Sequence, residues 1–171
     1  MARRPDATEY APFYEKYVRL VDEEADLGEL LARQLDDTLA FYRDIPESRL
    51  HARYAPGKWT VSEVLGHVSD AERVFQYRAL CIARGEQQNL PGFDQDEYMA
   101  AAPFDRRTWA SLLEELKTVR AASVSLFRSF DEAALDRRGV ANGNPITVRA
   151  LGYIIAGHER HHLAVLKEKY L

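Results

Sequence analysis

The 171-residue chain has a single cysteine, Cys81, so no internal disulfide can form and a reducing compartment is expected. Cys81 lies in the apolar stretch Ala79–Ala83, where a small buried residue is expected rather than a nucleophile. No apolar run approaches the ~18 residues that cross a bilayer. The opening segment, MARRPDATEYAPF, lacks the apolar centre of a signal peptide. A cytoplasmic protein without a membrane partner is therefore expected. Basic residues are not in excess: 23 Lys and Arg stand against 27 Asp and Glu, a net charge of −4. Such a chain is a poor match for nucleic acid, which needs a basic surface to displace counterions. The pairs Arg3-Arg4, Arg106-Arg107 and Arg137-Arg138 read as surface solvation. There is no internal repeat or low-complexity tract. No pair of segments reads as strands, with only the short stretch around Gly139-Val140 left open.

What the chain does have is helical periodicity and enough apolar residues, 46%, for one well-filled core. Residues 1–25 read as an N-terminal arm with scattered aromatics, and 26–171 as the main domain. Leu27, Leu30, Leu31, Leu35, Leu39 and Tyr42 recur at three- and four-residue steps, predicting a helix from Asp26 to Arg43 that stops before Pro46. Thr60 or Ser62 can cap a second helix, Thr60 having capping-box spacing with Glu63, and that helix carries Val61, Val64, Leu65, Val68, Ala71, Phe75, Leu80 and Ile82. Gly85 is a suitable left-handed terminator for it. Residues 86–104 form a long connection without sustained period, of the length that is usually functional or disordered. A third helix starts at Asp105 or Thr108 and runs through Trp109, Leu112, Leu116, Val124 and Phe127. After the turn signal Asn142-Gly143-Asn144-Pro145, Thr147 caps a fourth helix that reaches the C-terminus. The pattern predicts an all-α four-helix bundle with a long crossover connection between helices two and three.

Three of the five histidines fall in the span His158-Glu159-Arg160-His161-His162. His158 and His162 are one turn apart on one helix face, so two imidazoles can reach one metal ion. They share the core seam of Leu151, Ile155 and Val165, and burying both without partners would cost hydrogen-bond free energy. His161 points to one side and is set apart. The span formally matches HExxH, but Glu159 is rotated by about 100° from His158 and no substrate-binding strand accompanies the helix. The zinc-peptidase reading is therefore set aside. His67 has the phase of Val64, Ala71 and Val74. Alone it reads as a hydrogen-bonded core histidine; beside an HxxxH helix it becomes a candidate third ligand. Asp70 and Glu63 are candidate acceptors for His67 or plain surface charge, and His51 is placed on the surface. Arg78 either meets an anionic substrate or pairs with a surface carboxylate. Phe93, Tyr98 and Phe104 either shape a pocket or pack the long connection.

The stretches PGKWTVSEVLGHVSDAERVF (56–75), RGEQQNLPGFDQDEY (84–98) and TVRALGYIIAGHERHHLAVLKEKY (147–170) resemble the DinB/YfiT-like superfamily of metal-binding four-helix bundles. The resemblance implies a three-histidine metal site at one end of the bundle, with His67, His158 and His162 as ligands, and a homodimer. Zinc or nickel is the first expectation for the divalent metal, iron or copper the second. It also implies a small-molecule substrate and a metal-dependent enzyme such as a thiol S-transferase of the bacillithiol or mycothiol type, with a low-molecular-weight thiol as cosubstrate. The alternatives are a metal-dependent hydrolase, as other relatives are named, or a non-catalytic, metal-stapled module related to stress. No short motif marks the catalytic residues.

Overall fold

The structure is a computed structural model describing residues 3–21, 24 and 26–171. The arm expected over 1–25 therefore lies partly outside the described residues, at Met1, Ala2, Asp22, Glu23 and Ala25. Four long helices carry the fold: α2 (Leu27–Arg43), α3 (Val61–Ala83), α5 (Trp109–Arg128) and α7 (Val148–Lys169). Three short ones lie between and before them: α1 (Glu15–Val18), α4 (Gln95–Ala101) and α6 (Glu132–Leu135). The boundaries follow local chemistry. Asp26 accepts a hydrogen bond from the Glu29 N–H and caps α2. Thr60 and Glu63 complete the capping box of α3. Thr108 and Thr147 cap α5 and α7. Gly85, at φ 91°, follows α3 in the left-handed region. Among the described residues no helix is long and apolar enough to cross a membrane.

The core is divided in two. One apolar cluster gathers Leu27, Leu31, Phe75, Ile82, Val124, Phe127, Leu151 and Ile154. The other gathers Leu39, Tyr42, Val64, Leu65, Leu112, Leu116 and Leu166. Each long helix passes from one cluster to the other, so the order of its apolar residues gives its direction. α2 and α7 run one way, α3 and α5 the opposite way. α2 packs on α5 and α7, and α3 packs on the same two helices. Because α3 and α5 are parallel neighbours, the chain must travel back along the bundle between them. This explains why the second connection is long.

That connection is more ordered than the sequence predicts. It contains β1 (Asn89–Leu90) and α4, whose first turn is capped by Asp94. β1 pairs in parallel with β2 (Arg138–Ala141), which pairs antiparallel with β3 (Asn144–Thr147). The expectation of no strand pair is thus corrected at the stretch left open. The hairpin turns at Asn142-Gly143, both with positive φ (51° and 72°), the requirement of a type I′ turn. The Asn142 N–H donates to the Leu90 carbonyl at 2.9 Å, tying the hairpin tip to the crossover.

The N-terminal arm is part of the core. Tyr10, Val18 and Val21 are buried with the first cluster, and α1 packs on α7. Buried Glu9 accepts from the Thr147 hydroxyl at 2.9 Å and pairs with Arg149 at 2.8 Å. Gly157 permits the close approach, since a Cβ there would lie 2.1 Å from the Tyr17 carbonyl oxygen.

Candidate metal centre

Between the two apolar clusters lies a polar waist, built from the mid-length residues of all four long helices. At its centre is Arg120 of α5, fully buried. Its Nε donates to Glu72 Oε1 at 2.8 Å, and its Nη2 donates to Glu159 Oε2 at 2.8 Å. Ser123 donates to Glu72 at 2.6 Å, Thr38 to Glu159 at 2.8 Å, and Gln34 also donates to Glu159. Burial disfavours the charged guanidinium, but the Glu159 and Glu72 carboxylates outweigh it and hold the Arg120 pKa above its ordinary value.

The histidines occupy the same waist, facing away from this network. His67 of α3 and His158 and His162 of α7 bring their ligand atoms within 4.8 Å of one another. His158 Nε2 lies 3.2 Å from His67 Nε2 and 3.2 Å from His162 Nε2. His67 is the seventh of the 23 residues of α3, and His158 and His162 are the eleventh and fifteenth of the 22 residues of α7. Tyr17 and Phe75 stand edge-on to His158, at 5.1 and 5.8 Å between ring centres, and Trp59 packs on His67 at 4.6 Å.

Burial pushes the His67 pKa down to about 4. It also depresses His158 and His162 well below the usual range, helped by the neighbouring imidazoles and by Lys16. All three rings are therefore neutral near pH 7. A neutral imidazole nitrogen offers one proton or one lone pair, so His158 Nε2 can make one linear hydrogen bond but faces two nitrogens. A single divalent cation would accept all three lone pairs together, and a set of three neutral imidazoles is a common ligand set for one. The residues present fit a metal.

The other candidates separate clearly. His161 lies outside the cluster, half-buried against Tyr17 at 5.4 Å. His51 is exposed, 3.5 Å from Asp105. Glu63 completes the α3 cap and binds Arg53 at 2.8 Å, and Asp70 pairs with Arg73 at 3.2 Å, so both serve the helix surface. Glu159, the glutamate of the HExxH match, points to Arg120 and is unavailable as a base at the histidines. Cys81 is half-buried rather than buried, and Leu80, expected on the core stripe, is 40% exposed. Phe104 is buried against Gly66, where a Cβ would sit 2.4 Å from its ring. Phe93 packs on the exposed Tyr98 at 5.2 Å.

Two cavities flank the histidines. The larger, about 670 Å³, is lined by His161 and His162 together with Trp59, Met99, Val165 and Tyr170. The smaller, about 390 Å³, is lined by His67 and His158 together with Phe75, Arg78 and Phe93. Gln95 and Asp96, at the start of α4, line both, so the crossover forms a wall shared by the two cavities. The sequence missed Glu72 and Arg120, although both fall in phase with their helices' apolar residues, four positions after Val68 and Leu116. A charge repeating at core spacing was the available signal.

Comparison with known proteins gives a consistent family pattern. The family model described as the DinB superfamily matches residues 30–166. A protein of Oceanobacillus iheyensis, whose name assigns it by inference to the metal-dependent hydrolases, is 27% identical over 122 residues, covering 71% of this chain and 70% of that protein. The fold is similar to that of YfiT from Bacillus subtilis, described as an inferred metal-dependent hydrolase with an unusual four-helix bundle topology. That match has a TM-score of 0.68 at 18% identity and covers 98% of this chain and 91% of the other. The fold also matches a mycothiol-dependent maleylpyruvate isomerase, with a TM-score of 0.65 at 12% identity. There 85% of this chain spans 59% of the longer protein. A DinB-like protein of B. subtilis, YjoA, matches with a TM-score of 0.60 at 22% identity, covering 84% of this chain and 88% of the other.

Proposed function

The chain belongs to the DinB superfamily, and we propose that it is a metal-dependent enzyme acting on small molecules, with His67, His158 and His162 as the ligands of one divalent transition metal. The observation that carries this reading is the convergence of three neutral imidazoles at a point flanked by two cavities. Zinc or nickel suits the set best, with iron(II) or copper next. Held by these three imidazoles, such a cation would act as a Lewis acid and lower the pKa of a thiol or water.

The protein's own groups do the rest. Tyr17, Phe75 and Trp59 pack against the imidazole rings and fix their orientation. With Glu159 tied to Arg120, the groups on the larger cavity left to take up a proton are the His161 imidazole and the Asp96 carboxylate. Two cavities meeting at one centre suit two reactants, which favours a thiol S-transferase with a bacillithiol- or mycothiol-type cosubstrate in one and an electrophile in the other. Hydrolysis is the second reading, supported by the names of two similar proteins. A cytoplasmic homodimer without nucleic-acid partners completes the proposal, and light scattering tests the oligomeric state.

Elemental analysis of protein purified without a nickel column is expected to find about one divalent metal per chain. A metal-free protein whose stability is unchanged by His158→Ala would overturn the reading. Turnover with bacillithiol, mycothiol or glutathione against an electrophile panel, compared with ester and amide hydrolysis, separates the two reactions. Metal binding without either turnover would leave the metal-stapled module.

A further inference from the structure

Among the described residues three arginines are buried, and they are not alike. Arg120 faces Glu72 and Glu159, and Arg149 faces Glu9 and Asp136. Arg78 is 2% exposed and faces no carboxylate among the described residues. Its Nη2 donates to the Pro91 carbonyl at 2.7 Å, its Nη1 to the Tyr14 hydroxyl at 3.3 Å, and its Nε has no partner. A buried cation without a counter-charge is costly, and a fold keeps one where an anion completes it.

Arg78 also lies where a substrate would need it. It is eleven residues beyond His67 on α3, which returns it to within about 20° of the same helix face and about 16 Å along the axis. Ala71 and Phe75 fill the face between them, and all four residues line the smaller cavity. Phe13, Tyr14, Tyr17 and Phe93 make much of the remaining wall aromatic. The other charges there are committed or open to water: Asp94 caps α4, Asp96 is exposed, and Lys16 lies over the Tyr17 ring at 4.8 Å. At about 390 Å³ the cavity suits a compact molecule.

We propose that Arg78 binds the oxyanion of the substrate, a carboxylate or phosphate ester on an apolar, aromatic-sized body, and so turns its reactive end toward His67 and His158. This assignment rests on the three-histidine cluster being the reacting centre. Arg78 supplies charge-assisted hydrogen bonds to the anion, while the aromatic wall takes the apolar body.

The test is calorimetric titration of the metal-loaded full chain with phenylacetate, phenyl phosphate and the neutral phenylacetamide. At least one of the two anions is expected to bind about tenfold or more tightly than the amide, and the better of them identifies carboxylate or phosphate. Arg78→Gln is expected to abolish the preference at unchanged metal content, and Arg78→Lys to keep part of it. Equal binding of anion and amide, no binding of either anion, or a preference that survives in Arg78→Gln would overturn the proposal, the last by assigning the anion to the metal. If Arg78→Gln fails to fold, the Arg78 Nε–Hε resonance of the wild-type protein decides. It should move with the preferred anion and not with phenylacetamide, and a resonance that stays in place refutes the proposal. The same titration after chelation keeps the two readings apart. Loss of the metal reading appears as absent metal in elemental analysis, whereas the anion preference persists in the stripped protein.

Discussion

Replacing Arg120 or Glu159 separates a structural role for the HExxH glutamate from a catalytic one. In Glu159→Gln the side chain keeps its shape, but one of its two oxygens becomes an amide nitrogen. At the wild-type site one oxygen accepts from Thr38 and Gln34 and the other from Arg120 Nη2, so either amide orientation sets a donor against a donor. Losing hydrogen bonds to a charged, buried group costs about 1.5–3 kcal/mol. Arg120→Met is expected to cost more, about 3–5 kcal/mol, because Glu72 and Glu159 then remain in the interior without their shared cation. For a chain of this length each kcal/mol moves the melting temperature by roughly 2–4 °C, so Arg120→Met should melt about 6–20 °C early. Urea unfolding and thermal scans, with and without chelator, measure both variants. Metal stoichiometry should be retained in each. A Glu159→Gln protein of wild-type stability whose turnover collapses would refute the structural assignment and return Glu159 to the role of a base.

Other consequences are as direct. His158→Ala should abolish stoichiometric metal binding and the extra stability the metal confers, about 4 kcal/mol when metal exceeds its Kd a thousandfold, whereas His161→Ala should leave both in place; elemental analysis and chelator-dependent melting report this. Gly157→Ala places a methyl group 2.1 Å from the Tyr17 carbonyl oxygen, so the arm should lift from α7 and residues 3–21 should gain hydrogen exchange and protease sensitivity. In metal-free protein, burial lowers the folded-state pKa of His67 from 6.5 to about 4, so its share of stability is intact above about pH 6.5 and drains away as pH falls toward 4. That share is about 3 kcal/mol from His67 alone, with His158 and His162 acting in the same direction. Unfolding at pH 7, 5.5 and 4 after chelation measures it, and a flat profile would contradict the burial of the rings.

What the sequence disclosed depended on whether the deciding interaction was local. The Thr60–Glu63 capping box, the Asp26 start, the Gly85 stop and the i, i+4 histidine pair are contacts within one turn, and each appears where its spacing places it. His67 needed α3 to settle against α7, a non-local event, so its phase alone left two readings open. β2 and β3 have four residues each, with Pro145 in the second, too short to show alternation, although Asn142-Gly143 announced their turn. β1 is two residues long and owes its pairing to a strand some fifty positions away. Leu80 does not share the core stripe, since it lies five residues after Phe75 and two before Ile82, about 140° and 160° round the helix from them; the in-phase residue is Ala79, which is buried, and Leu80 faces outward.

The buried charges and the histidines belong to one device. Glu72 lies five residues after His67 on α3, and Glu159 follows His158 on α7, so the two helices that supply the ligands are gripped by one guanidinium. Bidentate geometry fixes rotation as well as distance. With Glu159 held toward Arg120, the adjacent His158 is turned by about 100° to the other side, where His67 stands. Apolar packing alone would tolerate small rotations of α7, and these would carry His158 and His162 away from His67. Arg120→Met should therefore weaken metal binding while leaving every ligand in the chain, by about 10–100-fold, the loss seen when a ligand's supporting contacts are removed. Competition with a chelator of known affinity measures this. An unchanged affinity beside a large loss of stability would mean that the register of α3 against α7 is set by the two apolar clusters and not by the charges between them.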